Sequence, residues 1–396
     1  MLYLLEIYSL FLKLSIDLTK FNHLFAFYFY LISEAVEYEN NPSDLFAVLS
    51  NDALTMISEL NEQGFNKLSY QLKQNKRGRY SYRSKHRITL QCDTTTDGRK
   101  YSSKKTKKVY KNWDNCLGKI IKTHTLVVLS CQIGFKRNAQ RYILDFRVWD
   151  KKSGKTYSDY MLEMITALKE RLEEAGCDLS LLVLTFDSSF SWLANLEKLQ
   201  LQSIPFVGKF HHREQLKVNG KKVLITNWLS GRFCSQDFNE INGRYLPYVS
   251  HWEYYQWFFL DDYPELKLLL LLGKPNRKHK RSRLLLVTNL IGNPYYKALE
   301  RWLCRWAIET IFQEENQSLA WSDYRRHSSG KMFTNYIACC CIKYNVLMDY
   351  RKNHRLIKFG IKRILRKIRL ELAEYRLSEL INYVSNWIRQ DFFYDT

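Results

Sequence analysis

Residues 179–187, LSLLVLTFD, are apolar almost throughout and lack the in-out alternation of a half-exposed strand. Such a run reads as a strand covered on both faces, which requires helices packed above and below its sheet. The surrounding segments supply them. TYSDYMLEMITALKERLEEAG (156–176) has helical apolar spacing and closes on Gly176, a common helix stop. SWLANLEKLQ predicts a shorter helix. RITLQCD (87–93), HTLVVLSCQIG (124–134), QRYILDFRVW (140–149) and IPFVGKF (204–210) read as further strands, with the second and third as antiparallel neighbours. The expected fold class is therefore α/β.

Three strands, then helix, strand, helix and strand, is the order of an RNase H-like domain; a generic α/β domain alternates more strictly. Residues 215–290 interrupt the order with β-rich segments such as YVSHWEYYQWFFL and RLLLVTNL, and read as an insertion. The expected organisation is a helical region over 1–85 and the first part of the core over 86–214. The β-rich insertion over 215–290, the second part of the core over 291–350 and a basic helical region over 351–396 follow. At 396 residues and 46% apolar, the chain is long enough for a sizeable core. Near its start, residues 21–33 are the longest uncharged run, short of the roughly 20 residues that a membrane-spanning helix needs. Nine cysteines without a CxxC pair or a cleavable leader point to a reducing cytoplasm and against a structural zinc.

Asp93 and Asp187 each close a strand-like run. The segment RWLCRWAIETIFQEENQSL (301–319) reads as one helix carrying a third acid, Glu309. At about 100° per residue, Trp302, Arg305, Glu309 and Asn316 share a stripe about 60° wide. Three carboxylates converging at a sheet rim suit two hard divalent ions, Mg²⁺ or Mn²⁺, of the kind that clamp the attacking and leaving oxygens in phosphoryl transfer. Asp93, Asp187 and Glu309 are accordingly the candidate catalytic and metal-ligating residues. With 40 acidic residues in the chain, spacing alone does not select them. Asp97, Asp145 and Asp150 compete, and Asp97 is the serious rival for Asp93. The formal charge of +21, from 61 basic against 40 acidic residues, favours a nucleic-acid partner over a membrane surface.

VLTFDSSFS resembles the second-aspartate motif of bacterial DDE transposases, and LLLVTNL followed by YYKALERWLCRWAIETIF resembles their approach to the catalytic glutamate. The group with the Y-x2-R-x3-E-x6-K signature is the nearest match. Arg305 and Glu309 match it, Trp302 stands for the tyrosine, and Asn316 replaces the lysine. The likeness is specific over 180–320 and general elsewhere within 87–345. It implies an insertion-sequence transposase that nicks transposon ends and joins the freed 3′-OH to target DNA by cut-and-paste transposition. It also implies terminal inverted repeats as substrate, a homodimer in the synaptic complex, two Mg²⁺ or Mn²⁺ ions, and a nucleoid-associated location. Arg305 would hold a phosphate in a bidentate fork, and Lys209 and Arg213 would lie near DNA.

Other basic segments keep two readings, phosphate contact or solvated surface: SSKKTKK with Lys104 and Lys105, NRKHKRSR with Arg277, Lys278, Lys280 and Arg281, and QLKQNKRGRYSYRSKHR over 71–87. His211 and His212 point oppositely on a strand and make a poor metal pair. Trp192, Trp228, Trp252 and Trp257 are either base-stacking or core residues. Two further functions stay open beside the transposase. One is a nuclease of the same fold without strand transfer; the other is an inactive DNA-binding copy, suggested by Asn316.

Overall fold

The structure, a computed structural model, describes residues 53–77, 88–98, 108–114, 118–134, 139–211, 213–218, 221–230, 238–241, 252–260, 262–275, 281–318, 330–356 and 359–368, with 370, 371 and 378. The chain divides into two compact units, of which Ala53–Asn345 is the larger. That unit opens with α1 (Ala53–Arg77). The strands β1 (Ile88–Gly98), β2 (Tyr110–Asp114), β3 (Lys119–Ile133) and β4 (Gln140–Val148) follow. Next come α2 (Tyr157–Glu174), β5 (Leu182–Phe186), α3 (Leu193–Leu201) and β6 (Phe206–Lys209). A β-rich stretch holds β7 (Gln215–Val218), β8 (Lys221–Leu224), the short α4 (Ile225–Ser230), β9 (Asn239–Glu240), β10 (Trp252–Leu260), β11 (Tyr263–Pro275) and β12 (Arg281–Thr288). The helices α5 (Tyr295–Leu303), α6 (Trp306–Ser318) and α7 (Gly330–Asn353) end the series.

A mixed ten-stranded sheet is the frame, in the order β2-β3-β1-β5-β6-β12-β11-β10-β9 with β4 also on β3; β7 and β8 form a separate hairpin. β1, β5 and β6 run parallel, while β3 and β4 are antiparallel to their neighbours. The unbroken apolar run in β5 now has a cause. Leu182 and Leu184 face α2, lining a small cavity with Leu90, Ile165, Leu172 and Ile204. Val183 points the other way, into a cluster with Val207, Leu286, Leu299 and Trp302. Both faces are dry, so both sets of positions are apolar.

Local chemistry sets the element ends. Thr156 and Asp159 form a reciprocal capping box at the start of α2. At its other end Gly176, at φ +69, lets its own N–H and that of Cys177 turn back to the Glu173 and Leu172 carbonyls. α1 lies close on β4 because residue 64 is glycine: a methyl group there would stand 2.7 Å from Leu144 Cδ2. On β4, the Asn345 side chain donates to and accepts from the Ile143 backbone, both at 2.8 Å, doing the work of a missing neighbour strand.

The structure adds detail to four expectations. Of the helical region expected over 1–85, α1 packs on β4 inside the larger unit, while residues 1–52 lie outside the described residues. Within the β-rich stretch expected over 215–290, β12 pairs with β6, so β9–β12 extend the same sheet. The strand read over 179–187 starts only at Leu182, because Asp178 caps a single 3₁₀ turn before it. The helix read over 301–319 breaks at Cys304–Arg305, where Arg305, Ala307 and Ile308 each bond back three residues rather than four.

The second unit includes Val346 onward. Residues 361–368 there are helical, with Ile361, Ile364, Leu365 and Ile368 buried and Lys362, Arg363, Arg366 and Lys367 exposed, the pattern of an amphipathic helix with a basic outer face. Among the described residues, no helix is long and apolar enough to cross a membrane.

Candidate active site

One rung across the three parallel strands aligns Cys92, Phe186 and Gly208. The next residue along each strand is charged: Asp93, Asp187 and Lys209. Neighbouring strands lie about 4.8 Å apart, so pairing alone brings two carboxylates and an ammonium-bearing chain to one line. They share the face of Val183 and Val207, the side covered by α5. Gly208 permits this arrangement, because a Cβ there would stand 2.0 Å from Phe186 Cε2. The bare backbone lets the Phe186 ring lie across β6 immediately before Asp187.

Asp187 ends β5 because the chain enters a 3₁₀ turn, Ser188–Phe190. It holds the cap position of that turn but makes no side-chain cap bond, which leaves its carboxylate for other partners. Lys209 Nζ stands 3.9 Å from Asp187 Oδ1, with both side chains more than a third exposed. Solvent screens that pair, so it adds little to stability.

The break between α5 and α6 brings in the third acid. Arg301 Nη1 donates to the Ile88 carbonyl and Thr89 Oγ1, fastening α5 to the start of β1. Arg305 Nη1 then reaches Asp93 Oδ2 at 3.1 Å and Glu309 Oε1 at 2.7 Å. A single nitrogen holds both acids, so their oxygens can be no farther apart than those two distances combined. Arg305 is buried, and its guanidinium lies 5.6 and 5.8 Å from the rings of Trp302 and Trp306. Burial pushes Asp93 up to about 6; Arg305 and the Thr94 N–H pull it down, while Asp187 and Glu309 raise it further. Asp93 thus senses both other acids, as expected of groups clustered in one poorly hydrated place.

The structure therefore brings Asp93, Asp187, Glu309, Arg305 and Lys209 to one locality. Among its rivals, Asp145 is buried against Arg147 on β4, and Asp150 caps a turn and bonds Tyr110. Asp97 lies on β1 opposite His124, four residues beyond Asp93, and its side chain is outside the described residues. Trp302 is buried in the core cluster and Asn316 is exposed, so the two do not share one surface stripe. Arg213 is exposed; Arg281 bonds Glu253 and the Gly273 carbonyl. Lys104, Lys105, Arg277, Lys278 and Lys280 lie outside the described residues, as does most of 71–87. The contact of Lys209 with Asp187 and the bridging by Arg305 were not read from sequence. The first follows from strand register, and the second from how a broken helix docks.

All the clustered acids offer oxygen, the donor that Mg²⁺ and Mn²⁺ prefer. Among the described residues, no three His, Cys, Asp or Glu side chains are grouped so that they would share one ion as they stand. Asp93 and Glu309 instead share the Arg305 cation. They fit a divalent ion in kind, and such an ion would take over oxygens now held by the guanidinium. No known family model matches this chain, and comparison with curated proteins gives no match.

Proposed function

We propose that this chain is a DDE-type transposase acting on double-stranded DNA, with Asp93, Asp187 and Glu309 as its catalytic acids. The observation that carries the reading is the placement of Asp93 and Asp187 one residue beyond the last parallel rung of β1 and β5, with Glu309 joined to Asp93 through Arg305. A central β3-β1-β5-β6 order with three parallel strands supports an RNase H-like core, and the formal charge of +21 supports a polyanionic substrate.

Asp93, Asp187 and Glu309 would hold Mg²⁺ or Mn²⁺, which when bound polarises the phosphodiester and lowers the pKa of water. Lys209, on the same rung as both aspartates, brings positive charge to where a phosphate would lie. Arg305, once exchanged for an ion at Asp93, has the planar fork that suits phosphate oxygens. The deep faces of β1 and β5 exclude water from one side of the site.

The full chain should be incubated with Mn²⁺ and labelled duplexes carrying the DNA ends that flank its gene. Nicked ends followed by joined products are expected, and both should vanish in Asp187→Ala. Cleavage without joining would make the protein a nuclease, while cleavage unaltered in Asp187→Ala would remove these acids from the mechanism.

A further inference from the structure

Each of the three candidate acids already has a cation from its own chain. Arg305 spends one nitrogen, Nη1, on both Asp93 Oδ2 at 3.1 Å and Glu309 Oε1 at 2.7 Å. Lys209 Nζ stands 3.9 Å from the remaining acid, at Asp187 Oδ1. The guanidinium is poorly used in this pose: it is buried, and its Nε has no hydrogen-bond partner. A buried N–H without a partner is costly, so this cation is better satisfied by an anion that takes Nε as well. Water is close by, because Trp306, whose ring lies 5.8 Å from the guanidinium, is 54% exposed.

We propose that Arg305 and Lys209 are placeholder cations, and that divalent-ion uptake and capture of a DNA phosphate are one coupled exchange. This rests on the DNA phosphoryl-transfer reading and adds its regulation. A divalent ion needs the carboxylate oxygens that these two side chains now hold, and at that range it repels both cations. Ion binding to the free protein therefore includes the cost of separating the pairs. A phosphate lowers that cost, since a freed guanidinium offers it Nε and a second nitrogen as a bidentate fork. The effect is mutual: the phosphate tightens the ion by the same factor as the ion tightens the phosphate. The free protein thus loads ions weakly until DNA arrives, which limits stray hydrolysis.

Mn²⁺ binding to the DNA-free full chain is read from the loss of the free-ion electron paramagnetic resonance signal. Arg305→Gln should bind Mn²⁺ about 10-fold tighter than wild type or more, and the solvent-screened Lys209→Gln about 2- to 5-fold tighter. If Arg305→Gln does not fold, Lys209→Gln carries the variant arm. A labelled duplex of the DNA ends that flank the gene should bind wild type about 10-fold tighter in Ca²⁺, used to slow cleavage, than in chelator at equal ionic strength. That sign is diagnostic, because divalent ions otherwise compete with basic side chains for phosphates. The gain should shrink to within about twofold in Arg305→Gln. Unchanged Mn²⁺ affinity in the variants, or a wild-type DNA affinity that Ca²⁺ does not raise, would overturn the exchange alone. So would a Ca²⁺ gain kept in full by Arg305→Gln, which would mean that ion and phosphate meet directly. Equal Mn²⁺ binding by wild type and an Asp93→Ala, Asp187→Ala double variant, or no DNA binding by wild type, would overturn the phosphoryl-transfer reading and the exchange together.

Discussion

Replacing Arg305 with glutamine removes the cation that two acids share, and the cost should depend on pH. In the native chain Asp93 is raised from 3.8 to about 6, chiefly by burial. A carboxyl raised on folding contributes most at low pH, where it is protonated in both states. That contribution is lost as pH rises from about 4 through about 6, by roughly 3 kcal/mol for a shift of this size. Without Arg305, the largest influence lowering Asp93 is gone, so its pKa climbs further and the loss extends to higher pH. Stripping the partner from a buried pair costs about 3–5 kcal/mol. Glu309, with 36% of its side chain exposed, can turn to water and adds little. The expected destabilisation is about 3 kcal/mol at pH 8 and about 1 kcal/mol at pH 5, where Asp93 is already mostly protonated. Urea unfolding of both proteins at the two pH values reads this directly, and Asp93→Asn combined with Arg305→Gln should recover most of the loss. An equal penalty at pH 5 and pH 8 would refute the electrostatic reasoning and assign the effect to lost packing against Trp302 and Trp306.

Gly208→Ala forces a methyl group into the Phe186 ring, so thermal denaturation should show a loss of about 1–3 kcal/mol or more, and DNA cleavage should fall with the displacement of Asp187. Asn345→Ala orphans a buried N–H and C=O of Ile143, for an expected cost of about 2–4 kcal/mol in denaturant unfolding. Glu315 is fully buried, with neither oxygen hydrogen-bonded, and burial raises it well above the usual carboxylate range. Glu315→Leu should therefore stabilise by about 1–3 kcal/mol, increasingly as pH rises, and a destabilised variant would disprove an unsatisfied carboxyl. Mn²⁺ should raise the melting temperature of the native chain and a chelator reverse it; an equal rise in an Asp93→Ala, Asp187→Ala double variant would place the ion elsewhere.

The strands of the central layer were legible because burial on two faces writes itself as an unbroken apolar run, as in residues 182–186. The α2 boundaries were legible for a similarly local reason, helical apolar spacing that closes on Gly176; the structure adds the Thr156 capping box and the positive φ of that glycine. Pairings between distant segments were not. β12 joins β6 across about eighty residues, and nothing in RLLLVTNL says which edge it will meet. Asp187 could be picked out as the end of a strand, yet its alignment with Asp93 and Lys209 depends on two parallel registers. The break at Cys304–Arg305 escaped periodicity because apolar residues continue on both sides of it. Once the helix is broken, Arg305 turns inward while Trp306 is left 54% exposed.

β6 is only four residues long, yet it has β5 on one side and β12 on the other. A shortened protein lacking residues 215–290 would keep every acid of the candidate site and still leave β6 with an open margin of unpaired amides and carbonyls. Such a margin recruits foreign strands, so the trimmed chain should precipitate or form dimers through that seam. Reduction of this protein to a minimal fragment that carries the candidate site is therefore limited by where its sheet can be ended, not by where the clustered acids lie.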